Sequence, residues 1–317
     1  MITLSSPQLL KIKTKLLIFL GLLLCISSCT YIEKSFYNTE MAIEKFRSGL
    51  KIKSIDIKDH EVSYFEGGKG EVVLLIHGFT SEKEIWIRFA KLLTDKYRVI
   101  IPDLPGHGET TACFKCNYGI HSQAFYLKQF VDKLNLDNIN LVGNSMGGSI
   151  SISFTYNFQT KVKSLGLFNS GGVSSPKPSE FNKLLKQGKN PFYINNKKDF
   201  NYLFDLSMES KPFLPWPVKS IMYKKYIERN KINKKIYKDI SQKLWSSEDL
   251  LKNISVPVLI LWGADDRLID VSCVDIFNKK LPNSHKVIME NIGHCPMIED
   301  PKKTAMHYHK FLQENVK

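Results

Sequence analysis

Acidic residues are scarce in this chain of 317 residues: 31 Asp and Glu stand against 45 Lys and Arg, a net charge of +14. No long block of like charge, no internal repeat and no low-complexity tract accompanies the imbalance, which excludes a disordered or solenoid protein. A basic balance invites nucleic acid, but no nucleic-acid-binding motif is present and the excess is mostly lysine, so nucleic acid is set aside as a partner. The apolar run Leu16–Ile26 has eleven residues, short of the ~20 a spanning helix needs. Cysteines number six, and no second ligand pair stands at a zinc spacing from Cys113 and Cys116. Neither a metal nor a cofactor is expected. The 43% of hydrophobic residues give a globular chain with a sizeable core.

Lys11, Lys13 and Lys15 precede the apolar run, which ends in Ile26-Ser27-Ser28-Cys29. A basic start, a core of this size and small residues make an export signal. The ending resembles the bacterial lipobox, whose cysteine is acylated and becomes the new N-terminus. The expectation is a lipoprotein-type signal peptide over 1–28, lipidation at Cys29 and a tether or amphipathic helix over 29–50. The chain would then be exported and held on a bacterial membrane, at the periplasmic face or the cell surface. An ordinary signal peptide or an uncleaved anchor is the alternative. Ile32, Phe36, Ile43, Phe46 and Leu50 recur at a helical period. In an oxidising compartment, Cys113 and Cys116 either close a small disulfide loop or stay free thiols.

From Lys51 onward, apolar segments alternate in type. Strands are expected over 51–57, 61–65, 71–76, 98–101, 139–142, 162–168, 256–261 and 285–289, and helices over 84–93, 122–134, 146–158, 272–280 and 302–313. Residues 71–76 form a continuous apolar run, the kind buried on both faces of a parallel sheet. The alternation stops over about 174–250, where Pro212, Pro215 and Pro217 break any long helix. Alternation on both sides of a helical insert predicts an α/β fold. It would have a mostly parallel central sheet flanked by helices and a helical lid inserted after the sixth strand, all in one domain over 51–317.

The chemistry centres on Gly143-Asn144-Ser145-Met146-Gly147, which fits G-x-S-x-G between an apolar strand and a helix-forming run. This is the nucleophile elbow: the serine sits on a strained strand-to-helix turn at a helix N-terminus, where a developing anion is favoured. Side chains at Gly143 and Gly147 would collide with the neighbouring strand and helix. Such a match arises by chance often enough that context decides its value. His77-Gly78-Phe79 follows the 71–76 strand, where an oxyanion donor belongs. The backbone N–H groups of Phe79 and Met146 would hold the oxyanion, and the His77 side chain is a turn histidine. Leu261-Trp262-Gly263-Ala264-Asp265-Asp266 ends a late strand and offers the acid, with Asp266 preferred, Asp265 the alternative and Asp270 a cap for the next helix. Ile292-Gly293-His294 follows the last strand and supplies the base, in the order Ser, Asp, His. His307 and His309 do not share a helix face and make a poor metal pair.

With these pieces in order, the chain resembles the α/β-hydrolase superfamily over about 51–317. The Asp103-Leu-Pro-Gly-His-Gly108 stretch also fits. More narrowly it is similar to monoacylglycerol-lipase-type serine hydrolases and related bacterial lipases. The residues that carry this are His77-Gly-Phe-Thr-Ser-Glu-Lys-Glu-Ile-Trp86, Gly143-Asn-Ser-Met-Gly-Gly148, Trp262-Gly-Ala-Asp-Asp266, and Gly293-His294 with Glu299-Asp-Pro301. The resemblance implies Ser145 as nucleophile, Asp266 as acid and His294 as base. It also implies a carboxylic ester hydrolase of the lipase or esterase kind, acting on lipid esters such as monoacylglycerols through an acyl-enzyme. Meta-cleavage C–C hydrolases share the Gly-Asn-Ser-Met-Gly-Gly elbow, but their oxyanion loop reads like HGxGPG and this one does not. Serine at the elbow, where dehalogenases and epoxide hydrolases carry aspartate, argues against both. C–C or lactone hydrolysis on the same triad is the enzyme alternative, and an inactive hydrolase-fold binding protein the non-enzyme one.

The insert suggests the substrate. From Phe181 to Lys243 it holds fifteen Lys and Arg against five Asp and Glu, a local +10. Among them lie Phe192, Tyr193, Phe200, Tyr202, Phe204, Phe213, Leu214, Trp216, Tyr223 and Tyr226. Apolar side chains in a lid suit an acyl chain, and lysines on its outside attract anionic headgroups. The alternative is that the aromatics are lid core and the lysines a solvated face. The expected partners are a lipid ester and a membrane surface, reached through the lipidated N-terminus and the basic lid.

Overall fold

The computed structural model describes residues 31–241 and 247–316. The expected signal segment 1–28 and the expected lipidation site Cys29 lie outside the described residues. Residues 31–48 form helix α1, which leads into eight strands: β1 (Lys51–Ile57), β2 (His60–Gly67), β3 (Val72–Ile76), β4 (Arg98–Pro102), β5 (Ile139–Asn144), β6 (Val162–Phe168), β7 (Val258–Gly263) and β8 (Ser284–Met289). They form one sheet in the order β1-β2-β4-β3-β5-β6-β7-β8. The β1–β2 and β2–β4 pairs are antiparallel and the rest parallel. This is the mostly parallel sheet that the strand-helix alternation predicts.

Burial follows position. The central strands β5 and β7 are buried at every residue, while the edge strand β1 is charged and largely exposed. Helices cover both faces: α2 (Ile87–Ala90), α3 (Ile120–Lys133), α4 (Met146–Asn157), α10 (Cys273–Lys280) and α12 (Pro301–Asn315), with the short α11 (Pro296–Glu299) before the last. One core packs Leu127, Phe130, Phe154 and Phe277 on one face of the sheet. The other packs Trp86, Phe89, Tyr308 and Phe311 on the opposite face. The helix expected over 84–93 is a 3-10 turn, Lys83–Trp86, followed by the single turn of α2. Asp103 holds the start of that turn, accepting from both the Lys83 backbone N–H (2.7 Å) and its ammonium (2.6 Å).

Between β6 and β7 lie the lid helices α5 (Glu180–Lys186), α6 (Lys197–Ser207), α7 (Val218–Glu228), α8 (Asn230–Ser241) and α9 (Glu248–Leu251). Ile194, Phe200, Leu203 and Tyr226 form a small core within the lid, with Phe192 and Tyr223 packed against it. Those aromatics are lid core, whereas Phe213 and Trp216, in the proline-rich stretch between α6 and α7, are exposed. Helix α1 meets the lid through Glu33 and Lys224 (2.5 Å) and through Tyr37 and Lys225 (3.2 Å). Its outer face leaves Tyr31, Ile32, Phe36, Ile43 and Phe46 exposed. Cys113 and Cys116 are joined in a disulfide, which resolves the choice left open by the sequence. No helix among the described residues is long and apolar enough to cross a membrane.

Candidate active site

Ser145 follows β5 and opens α4, with φ 56° and ψ −121°, a backbone region that side chains rarely adopt. A Cβ on Gly143 would lie 2.3 Å from the Gly147 carbonyl oxygen, and one on Gly147 would lie 2.4 Å from that of Ile76. The turn is pinned from both ends: the Ser145 N–H donates to Phe168, and the Ser145 carbonyl accepts from Gly148 and Gly171. Ser145 itself remains partly accessible. Met146 is the first residue of α4, so its N–H has no acceptor within the helix.

The His77-Gly78-Phe79 loop lies against this elbow. A methyl group on Gly78 would sit 3.1 Å from the Ser145 Cβ, so the chain turns past the serine with Phe79 next in line. His77 Nε2 accepts the Leu104 N–H (3.0 Å), which leaves Nδ1 to donate to the Gly78 carbonyl (2.8 Å). Burial holds the imidazole below its ordinary pKa, so this neutral ring braces the loop. Asp103 braces it from beneath through Lys83, whose ammonium also reaches Glu109 (2.8 Å). Gly108 wraps so closely around Asp103 that a Cβ would lie 2.1 Å from its Cγ. Glycine is required there.

The candidate acid and base come from later strands. Asp266 follows β7 and His294 follows β8, and His294 Nδ1 lies 2.7 Å from Asp266 Oδ2. Both are buried. Asp266 Oδ1 accepts the N–H groups of Leu268 (2.8 Å) and Ile269 (3.0 Å). Asp265 is exposed and sends only its backbone N–H toward this loop, to Ile292. Asp270 accepts the Ser272 N–H at 2.9 Å and caps the turn before α10.

Two asparagines complete the arrangement, and sequence reasoning missed both. Asn169, just past β6 with φ 45°, donates to Asp266 Oδ2 (2.7 Å) and to the Gly293 carbonyl (3.1 Å). Asn144 donates to the carbonyls of Phe168 (3.0 Å) and His294 (3.1 Å), and so links the elbow to the base loop. For Asn169 the available signal is an asparagine directly after an apolar strand, since asparagine tolerates positive φ better than most residues.

Beside the oxyanion loop, charge and apolar surface meet. Burial pushes the Glu84 carboxyl up to about 8, with Glu82 and Asp103 adding to the rise and Lys83 and Lys225 opposing it. Burial depresses the Lys225 ammonium, but Glu82, Tyr37 and Glu84 more than offset that and hold it above its ordinary range. A cavity of about 530 Å³ lies here, lined by Thr80 and Ser81 of the loop, by Phe204, Phe213 and Leu214 of the lid, and by Met41 of α1. Among the described residues no group of His, Cys, Asp and Glu could hold a metal ion.

A family model described as the alpha/beta hydrolase fold matches residues 71–202. Lipase 1 of Psychrobacter immobilis is 33% identical over 276 residues, which cover 84% of this chain and 86% of that protein. The chain belongs to the α/β-hydrolase family. Monoacylglycerol lipase ABHD6 of Homo sapiens is 28% identical over 278 residues, covering 83% and 82% of the two chains. The crystal structure of a membrane phospholipase A, a bacterial virulence factor, superposes with a TM-score of 0.88 at 33% identity, covering 95% of this chain and 98% of that one. This α/β hydrolase is accordingly a carboxylic ester hydrolase. Its relatives are compatible with a membrane-associated or exported protein.

Proposed function

We propose that this α/β hydrolase cleaves lipid esters such as monoacylglycerols through an acyl-enzyme on Ser145. One observation carries the reading: Asp266 Oδ2 lies 2.7 Å from His294 Nδ1. A carboxylate there keeps the proton on Nδ1 and leaves Nε2 free as a base. His294 Nε2 takes the Ser145 hydroxyl proton as the oxygen attacks the ester carbonyl, and Asp266 stabilises the imidazolium. The oxyanion is held by the N–H groups of Phe79 and Met146, donors that act most strongly on charge developing in the transition state. The imidazolium then protonates the leaving alkoxide. Water repeats the cycle against the acyl-serine and releases the carboxylic acid.

The lipid substrate is supported by the lipase relatives and by the apolar lid side chains, Phe204, Phe213 and Leu214, that line one part of the cavity beside Thr80 and Ser81. In this reading the hydrolase domain spans 51–317, with a lid over about 174–250 that takes the acyl chain. Residues 1–28 are a lipoprotein signal peptide, Cys29 carries the lipid, and 29–50 tether the domain. The exposed Tyr31, Ile32, Phe36, Ile43 and Phe46 on α1, with Phe213 and Trp216 on the lid, support a membrane-lying face. Lysines of the insert add attraction to anionic headgroups.

A fluorophosphonate probe tests the serine. The wild-type protein should label stoichiometrically and hydrolyse monoacylglycerols faster than short p-nitrophenyl esters. Labelling and turnover should both vanish in Ser145→Ala, and labelling that survives the substitution would refute the assignment.

A further inference from the structure

We propose that Glu299 is a positioning residue for the base and ties the base loop to the lid. The idea rests on the reading of His294 as general base. Glu299 ends α11, and its carboxylate gathers backbone N–H groups from two separate segments. Oε2 accepts from Gly293 (2.9 Å), Glu209 (2.8 Å) and Ser210 (2.9 Å), and Oε1 accepts from Cys295 (3.0 Å). Gly293 and Cys295 flank His294. Glu209 and Ser210 belong to the lid strap that follows α6.

The strap and the base loop are joined at other points too. The His294 N–H donates to the Ser207 carbonyl at 3.0 Å, and Ser210 Oγ donates to the Asn291 carbonyl at 2.8 Å. A Cβ on Gly293 would lie 2.8 Å from the Glu209 nitrogen, so only glycine lets the strap approach this closely. From the other side Arg267, next to Asp266, donates to the carbonyls of Asp205 (2.5 Å) and Met208 (3.2 Å). Met208 and Pro212 then line the cavity. One carboxylate therefore connects the wall of the cavity to the loop that carries the base.

The donor set demands a carboxylate. Four N–H groups converge on two oxygens, and such charge-assisted bonds are short and strong. A glutamine would turn one of those oxygens into an NH2 group facing N–H donors. Either Gly293 or Cys295 would lose its acceptor, and the loop between them would shift. An ångström of misplacement in a catalytic group costs on the order of 100-fold in rate.

The test is Glu299→Gln in the full chain, assayed on a short, soluble p-nitrophenyl ester, with kcat expressed per serine titrated by the fluorophosphonate. We expect kcat to fall roughly 30- to 100-fold with KM nearly unchanged, and amide exchange across 207–210 to quicken. If Glu299→Gln does not fold, Glu299→Asp carries the same measurement with its charge kept and its reach shortened, and about a tenfold loss is expected. A kcat per titrated serine close to wild type would overturn the proposal, as would a loss explained wholly by fewer titratable serines or unchanged exchange in the strap. His294→Ala separates the two ideas: if it keeps its activity, the reading of the base itself fails, whereas a dead His294→Ala beside a fully active Glu299→Gln sinks only the positioning role.

Discussion

At the C-terminal ends of β5, β6 and β7, polar side chains are bonded on several sides. Asp266 takes Asn169, His294, Leu268 and Ile269, and Asn144 spans from Phe168 to His294. In the stretch between α6 and α7, by contrast, Phe213 is 85% and Trp216 62% exposed, and the core within the lid is small. The strand ends hold the proposed reacting groups in place, where small displacements are costly. The stretch between the lid helices instead leaves two large apolar side chains in water. The proposed function assigns chemistry to the hydrogen-bonded strand ends and recognition to the exposed aromatics of the insert.

That contrast breaks if damage to the frame spares catalysis. Asp266→Asn keeps the shape but loses the charge and favours the wrong tautomer, so kcat should drop roughly 10^4-fold on every ester, with binding little changed. A uniform loss across chain lengths, read from kcat and KM on a series of esters, would mark a frame effect. A loss confined to long chains would contradict it.

Asp103→Ala comes next in size. It strips the acceptor from a Lys83 ammonium that has no exposed surface, and breaking a buried ion pair costs about 3–5 kcal/mol. The lower end is expected because Glu109 stays in contact. Urea denaturation should show the shift, and an unchanged midpoint would mean that the pair is not a brace for the oxyanion loop.

The lid should answer more weakly and more selectively. Replacing Phe213 and Trp216 together by serine removes two exposed aromatic anchors. Burial of one such ring in an apolar phase contributes about 1.5–3 kcal/mol. Turnover of long-chain esters in anionic vesicles should therefore fall at least roughly tenfold, while short soluble esters and the melting temperature stay unchanged. Equal losses on both substrates would erase the distinction between frame and lid.

Legibility in the sequence follows the same division. The strands are short apolar runs whose side chains meet both faces of a covered sheet, so local pattern suffices to find them. The elbow and the Ser, Asp, His order are likewise local marks with fixed places relative to strands, and the structure joins Asp266 and His294. The bonds that Asn169, Asn144 and Glu299 make left no such mark, although Asn144 and Glu299 stand in stretches that carry the family resemblance. Their partners lie on other strands, helices or the lid, and only the packed chain brings them within hydrogen-bond reach. In the lid, composition named the aromatics but could not sort core Phe200 and Tyr226 from exposed Phe213 and Trp216, since that depends on how the helices fold over one another.

The elbow carries a further consequence for how this protein can change. At φ 56° and ψ −121°, position 145 is one where glycine would be more comfortable than serine. Selection for stability alone would push that residue toward glycine and erase the hydroxyl, whereas the proposed chemistry requires it. A tolerant scaffold can absorb drift almost anywhere on its surface. Here, at one residue, robustness and reactivity pull in opposite directions, and every variant that keeps the hydroxyl has to make up the difference elsewhere in the fold.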